Sequence, residues 1–207
     1  ASGAMVMQAA INLFGSVAVA AFTAASKVQN LVTQGMMSMG QTMASYGGQN
    51  YGKGDYHRLE KGVRSALLIS VIYSLLAAAA VGLFLRPLLS LFFSGDIDIA
   101  SLMPWAKTYI YMCAVFYIPL STIFIFRNIM QGCGYSFLPM MSGVAGLLAR
   151  LVVSIADMKF LSYPMACAAD PAAWVAAAVF TGISYLYVIK KIEREAAAHT
   201  STHSRTA

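Results

Sequence analysis

The chain alternates long apolar runs with short polar breaks, and six runs stand out, at about 1–25, 28–48, 63–85, 104–126, 137–156 and 171–189. Each is long enough to cross about 30 Å of hydrocarbon as a helix rising 1.5 Å per residue. In lipid every backbone polar group must be satisfied within its own segment, so uninterrupted apolar runs predict helices. The period-2 alternation of a membrane β-barrel is absent. The sequence therefore predicts an all-α polytopic membrane protein, a bundle of six transmembrane helices over 1–192 with a disordered cytoplasmic tail over 193–207. The first two runs are diluted by Gln, Asn, Ser and Thr. Ala1 enters an apolar stretch without a charged leader, which reads as a chain beginning inside or just before a helix, one half of something longer.

Three connections punctuate the runs. Residues 49–61, QNYGKGDYHRLEK, combine a glycine-rich turn with either a short amphipathic surface helix from Asp55 to Lys61 or a plain solvated loop. Residues 86–103 carry Pro87, Gly95, Asp96 and Asp98. Residues 131–136 carry Gly132 and Gly134.

Composition strengthens the membrane reading: 59% of the 207 residues are hydrophobic and only 11% are charged, against about 25% charged in soluble domains. The net charge of +6 would suit nucleic acid in a soluble protein, but here the basic residues sit at the ends of apolar runs, so no nucleic-acid partner is expected. Six crossings place Lys53, Arg58, Lys61, Arg64, Arg127, Lys190, Lys191, Arg194 and Arg205 on one side, and Lys27, Arg86, Lys107 and Lys159 on the other. That excess orients both termini to the cytoplasm of a plasma (inner) membrane. Trp105, Tyr109 and Trp174 suit aromatics near the membrane interface. Cys113, Cys133 and Cys167 lack metal or disulfide spacing and read as small buried hydrophobes.

Polar residues inside apolar helices carry the functional signal, because they need a partner or a water-filled cavity. Gln8, Asn12 and Ser16 recur every four residues and share a helix face. So do Gln34, Ser38, Gln41 and Ser45 in the second run, and Tyr117, Ser121, Phe124 and Asn128 in the fourth. Two readings stand: a shared solvated cleft lined by Gln8, Asn12, Gln34, Ser38, Gln41, Tyr117, Ser121, Phe124 and Asn128, whose uncharged amides and rings suit organic cations, or hydrogen bonding between helices of a tight bundle. Methionines at Met36, Met37, Met39 and Met43 add either adaptable wall or ordinary core.

Arg150 lies deep in the fifth run, on one face with Ser142 and Gly146, and must turn to a carbonyl, a carboxylate or water. It reads as a structural anchor more than a transport group. Asp170 before Pro171 has the signature of a helix N-cap. No Asp or Glu falls at mid-membrane depth, so this stretch offers no evident proton or sodium site. Pro119 should kink the fourth helix and act as a hinge. No His, Cys or carboxylate constellation suggests an enzyme, a metal site or a cofactor.

Several stretches together resemble the C-terminal lobe of the multidrug and toxic compound extrusion (MATE) exporters: NLFGSVAVAAFTAASKVQNL at 12–31; 34–64, with Gly48-Gln49-Asn50-Tyr51-Gly52 at its turn; 126–154, with an arginine in its second helix; and ADPAAW at 169–174. The resemblance implies one six-helix lobe of a two-lobe secondary antiporter. Its partners would be the lipid bilayer, an N-terminal lobe and small organic substrates exchanged for Na⁺ or H⁺. Some branches carry acidic residues in the first and fourth helices of this lobe. They are missing here, which shifts any coupling ion to the other lobe. The alternatives are an inactive fragment or structural subunit, and a related flippase of lipid-linked oligosaccharides, for which Arg150 would be the one basic group available to a pyrophosphate.

Overall fold

The computed structural model describes residues 11–92, 99–160 and 162–203, with side chains described to residue 156 and again from 162 to 194. Among these residues the chain is all-helical. The helices are α1 (Ser16–Gly52), α2 (Tyr56–Ser90), α3 (Ile99–Val115), α4 (Tyr117–Gly132), α5 (Phe137–Phe160), the five-residue α6 (Tyr163–Cys167) and α7 (Ala169–His203). Three helical runs are long and apolar enough to cross a membrane: α2, residues Phe137–Ala156 of α5, and Tyr163–Arg194 through α6 and α7. The bent pair α3–α4 makes a fourth.

Several helix ends differ from the sequence expectation. The division at 25–28 is absent: Lys27 lies inside an unbroken α1 of 37 residues. The break falls instead at Gly15, whose φ of 90° is a left-handed conformation that only glycine adopts without strain. Lys27 keeps its charge within the helix by resting its ammonium over the Phe92 ring, 5.6 Å from the centroid. The expected first span, 1–25, falls partly on residues 1–10, outside the described residues. The turn 53–55 is short, and residues 56–61 are the opening turns of α2 rather than a separate surface helix. Asp55 caps that helix by accepting the Arg58 N–H at 3.0 Å. At the other end α7 continues to His203 where a disordered tail was expected. The EREAAA stretch is made of good helix formers, and 35 residues extend about 50 Å, well past a hydrocarbon core.

The fourth expected span is two helices bent by 51°. The break is at Phe116 (φ −104°, ψ 15°). Pro119 lacks the N–H that would bond the Val115 carbonyl, so the ladder is interrupted where α3 ends. α4 then closes at Gly132, and Gly134, at φ 87°, turns the chain into α5.

Two apolar clusters stack along the bundle. One, near the Gly15 end, gathers residues such as Ala21, Val28, Leu85, Ile110 and Tyr117. The other, near the 53–55 turn, gathers Met43, Leu59, Ile125, Ile129 and Ile192. All three cysteines are free and buried, as expected. Burial pushes the thiol of Cys133, in the turn after α4, from 9.0 up to about 11. Desolvation disfavours the thiolate, which is the nucleophile. Alkylation of Cys133 by iodoacetamide at pH 8 is therefore expected to run about a hundredfold slower than in the denatured chain. It should climb about tenfold per pH unit toward pH 11, read by mass spectrometry of the labelled peptide. Equal rates in the folded and denatured chains would contradict this packing.

Candidate functional site

A polar face of α1 opens to the outside of the bundle. Asn30, Gln34, Ser38, Gln41, Ser45 and Gln49 recur at three- and four-residue spacing, and all are exposed. The hydroxyl of Ser38 is satisfied locally by the Gln34 carbonyl at 3.0 Å. The amides of the stripe point away from the core. Where α1 meets α4, Gln41 joins Phe124 and Asn128 in a recess of about 200 Å³, completed by Met37, Arg127 and Gln131.

The recess exists because α1 and α4 approach closely. Gly40 leaves room for the Asn128 side chain and the Phe124 carbonyl, and Gly132 lies against the Ala44 carbonyl. Small residues at a crossing are what membrane helices use to bring backbones together. Asn128 is held by a bond from its Nδ2 to the Phe124 carbonyl, 2.7 Å.

Of the residues expected to line one cleft, Gln34, Ser38, Gln41, Phe124 and Asn128 are brought to this face. Tyr117 and Ser121 are not: they are 0% and 1% exposed. The Tyr117 hydroxyl donates to Gln29 Oε1 at 2.7 Å. Ser74 Oγ donates to the Tyr117 carbonyl at 3.3 Å and to Ser121 Oγ at 3.4 Å. These two residues follow the alternative reading, tying α4 to α1 and α2 with bonds each contributing about 0.6–2 kcal/mol. Asn12 is exposed but sits beyond the Gly15 end of α1, roughly 35–40 Å along the axis from Gln41. Gln8 lies outside the described residues. Asn30, Arg127 and Gln131 were missed. Asn30 was legible as one more four-residue step below Gln34, and the other two border Asn128 on the last turn of α4.

Arg150 has found its carboxylate. Its Nη2 lies 2.6 Å from Asp170 Oδ1, and the Tyr109 hydroxyl donates to Asp170 Oδ2 at 3.1 Å. Asp170 is therefore not an N-cap. It is the second residue of α7, and its side chain turns into the bundle toward α3 and α5. Tyr109 is buried in the same place rather than at an interface. The pair tops a seam along α5 and α7: Ser142 meets Thr181 and the Ala177 carbonyl, Gly146 packs on the Ala173 carbonyl, and Arg150 meets Asp170. Four-residue steps on one helix thus match the antiparallel run of the other. The seam makes the Arg150 contact part of the packing of α5 against α7.

The family model MatE matches residues 1–156, which is most of the chain. The chain belongs to the MatE family. It is accordingly a multi-pass membrane protein. A solved structure described as a crystal structure of MATE in the bent conformation aligns with this MatE chain at a TM-score of 0.74 and 15% identity, over 88% of this chain and 40% of that one. The likeness fixes a shared fold, and the chain spans 40% of the length of that structure. No curated protein matches this MatE chain.

Proposed function

We propose that this chain is the C-terminal lobe of a MATE-type secondary antiporter that exports organic cations, drugs or metabolites in exchange for Na⁺ or H⁺. The observation that carries the proposal is the exposed amide stripe of α1. Uncharged hydrogen-bonding groups facing acyl chains would be unfavourable, so the stripe must meet water or another polypeptide. The recess at Gln41, Phe124 and Asn128 is smaller than the 300–1,000 Å³ typical of a ligand site. A facing lobe would complete its wall. The Gln41 and Asn128 amides and the Phe124 ring suit broad recognition of organic groups, cations among them, while Arg127 of the same recess disfavours close approach of a full positive charge and leaves a cation's partner to the facing lobe. Asp170 is engaged by Arg150, which supports placing the coupling ion in the facing lobe. The excess of basic residues at the 53–55 turn, the α4–α5 turn and the end of α7 supports placing these three, with the C-terminal end, in the cytoplasm of a plasma (inner) membrane. With α1 unbroken from Ser16 to Gly52, the Gly15 end falls on the opposite side, against the expectation of two cytoplasmic termini.

Co-expression of this chain with an N-terminal lobe in a drug-sensitive host should lower accumulation of a cationic dye severalfold, while either half alone should not. Gln41→Leu combined with Asn128→Leu should abolish most of that effect at unchanged membrane levels of protein. A correctly inserted pair that never lowers dye accumulation would end the proposal.

A further inference from the structure

A second and larger depression lies one face further round α1, against α2, at the basic end of the bundle. It has a volume of about 700 Å³, within the range that holds a small ligand. Its upper rim belongs to the first turns of α2, where His57, Arg58 and Lys61 stand exposed. Its middle carries Thr42 and Tyr46 from α1 and Ser65 from α2, and its lower part is Met39, Met43, Ala66 and Ile69. α1 and α2 run antiparallel here, so both walls pass from charge or phenol through hydroxyl to hydrocarbon in the same direction. From Arg58 to Ile69 the helix rises about 16 Å.

The charge of the rim is net positive. The one carboxylate lining the groove, Asp55, accepts the Arg58 backbone N–H at 3.0 Å. Nearby Glu60 is matched by Arg64 at 2.6 Å. Against that single carboxylate stand both Arg58 and Lys61, which leaves the rim with positive charge to meet an anion. Tyr46 shapes the floor: its hydroxyl donates to the Arg58 carbonyl at 2.8 Å, and its ring lies over Gly62, where any Cβ would collide with it. The groove is thus built rather than incidental to loosely packed helices.

We propose that this groove holds one anionic glycerophospholipid, its phosphate on Arg58 and Lys61 and an acyl chain along Met39, Met43, Ala66 and Ile69. A basic rim above an apolar trough between membrane helices matches the polarity profile of such a lipid. A protein segment would have to reproduce the same anion-to-hydrocarbon gradient. The lipid would brace the α1–α2 hairpin whose other face carries the amide stripe. This inference stands apart from transport and can be tested without it.

The test uses the full chain in detergent micelles with phosphatidylglycerol, phosphatidylcholine and inorganic phosphate as probes, read by native mass spectrometry of retained lipid. Phosphatidylglycerol should be retained at least about tenfold more tightly than phosphatidylcholine, and inorganic phosphate at equal concentration should not displace it. Arg58→Ala with Lys61→Ala should weaken phosphatidylglycerol about thirtyfold, since each basic group near a membrane surface is worth about a factor of five. Thr42→Trp fills the trough without touching charge and should weaken it as well, which keeps the idea testable if the double variant folds poorly. Lys190→Ala with Lys191→Ala should change nothing. Equal retention of the two lipids, displacement by inorganic phosphate, or unchanged binding in Thr42→Trp would overturn the proposal. So would expulsion of bound lipid on assembly with an N-terminal lobe, which would assign the groove to that lobe.

Discussion

Asp170→Asn is expected to destabilise the bundle by about 3 kcal/mol, because it orphans the Arg150 guanidinium. The substitution keeps the shape of the side chain and an oxygen for the Tyr109 hydroxyl, so it isolates the charge. What it leaves behind is the Arg150 guanidinium, with 26% of its side chain exposed and its Nε already buried without a partner. An exposed ion pair would be worth less than about 1 kcal/mol. The 2.6 Å contact and the surrounding helices put this pair on the other side of that division. Replacing both partners, Arg150→Met with Asp170→Asn, should recover about 2 kcal/mol relative to the sum of the single changes, because no orphan charge remains. The loss of helical circular dichroism on heating in detergent measures all three variants. Strictly additive single changes, or an Asp170→Asn protein as stable as the parent, would show that the pair contributes only as a surface contact.

How far the sequence alone could reach is visible in these same residues. The helical class and most spans were legible because an apolar run of twenty residues has few physical alternatives. Helix ends were less so, for hydropathy reports the part of a helix that meets hydrocarbon. α2 and α7 continue well beyond it, into the Asp55 cap and the EREAAA stretch. The polar break at Lys27 looked like a loop, yet a single charged residue resting on Phe92 does not interrupt a helix, whereas the left-handed Gly15 does.

For the site, three- and four-residue spacing identified which polar residues share a face. It could not identify what that face meets. The stripe of Gln34, Ser38 and Gln41 opens outward. The equally regular pair Tyr117 and Ser121 turns inward to Gln29 and Ser74. Arg150 announced its need for a carbonyl, a carboxylate or water, but not which: its partner lies twenty residues on, across α6, where Asp170-Pro171 mimicked a cap. Only the packing of α3, α5 and α7 brings them together.

The crossing of α1 and α4 yields the second large effect, and it rests on space rather than charge. Gly132 is the last residue of α4, and a Cβ added there would run into the backbone carbonyl of Ala44, with no flexible side chain to give way. Gly132→Ala must therefore push the two helices apart. Overpacking of this kind costs about 1–3 kcal/mol, and a larger residue such as leucine should prevent the native crossing altogether. The displacement would also open the recess between Gln41 and Asn128, so ligand binding there should fall along with stability. Gly143, in α5, supplies the contrast, because a Cβ there meets nothing within 4 Å. With no clash to offset it, Gly143→Ala should gain up to about 1 kcal/mol from helix propensity alone. Thermal unfolding of the two alanine variants side by side separates the explanations. If both shift the midpoint upward, propensity governs and the close approach of α1 to α4 is not a constraint. If Gly132→Ala falls while Gly143→Ala rises, the small residues at the crossing are what allow α4 to stand close enough to α1 for their side chains to share one recess.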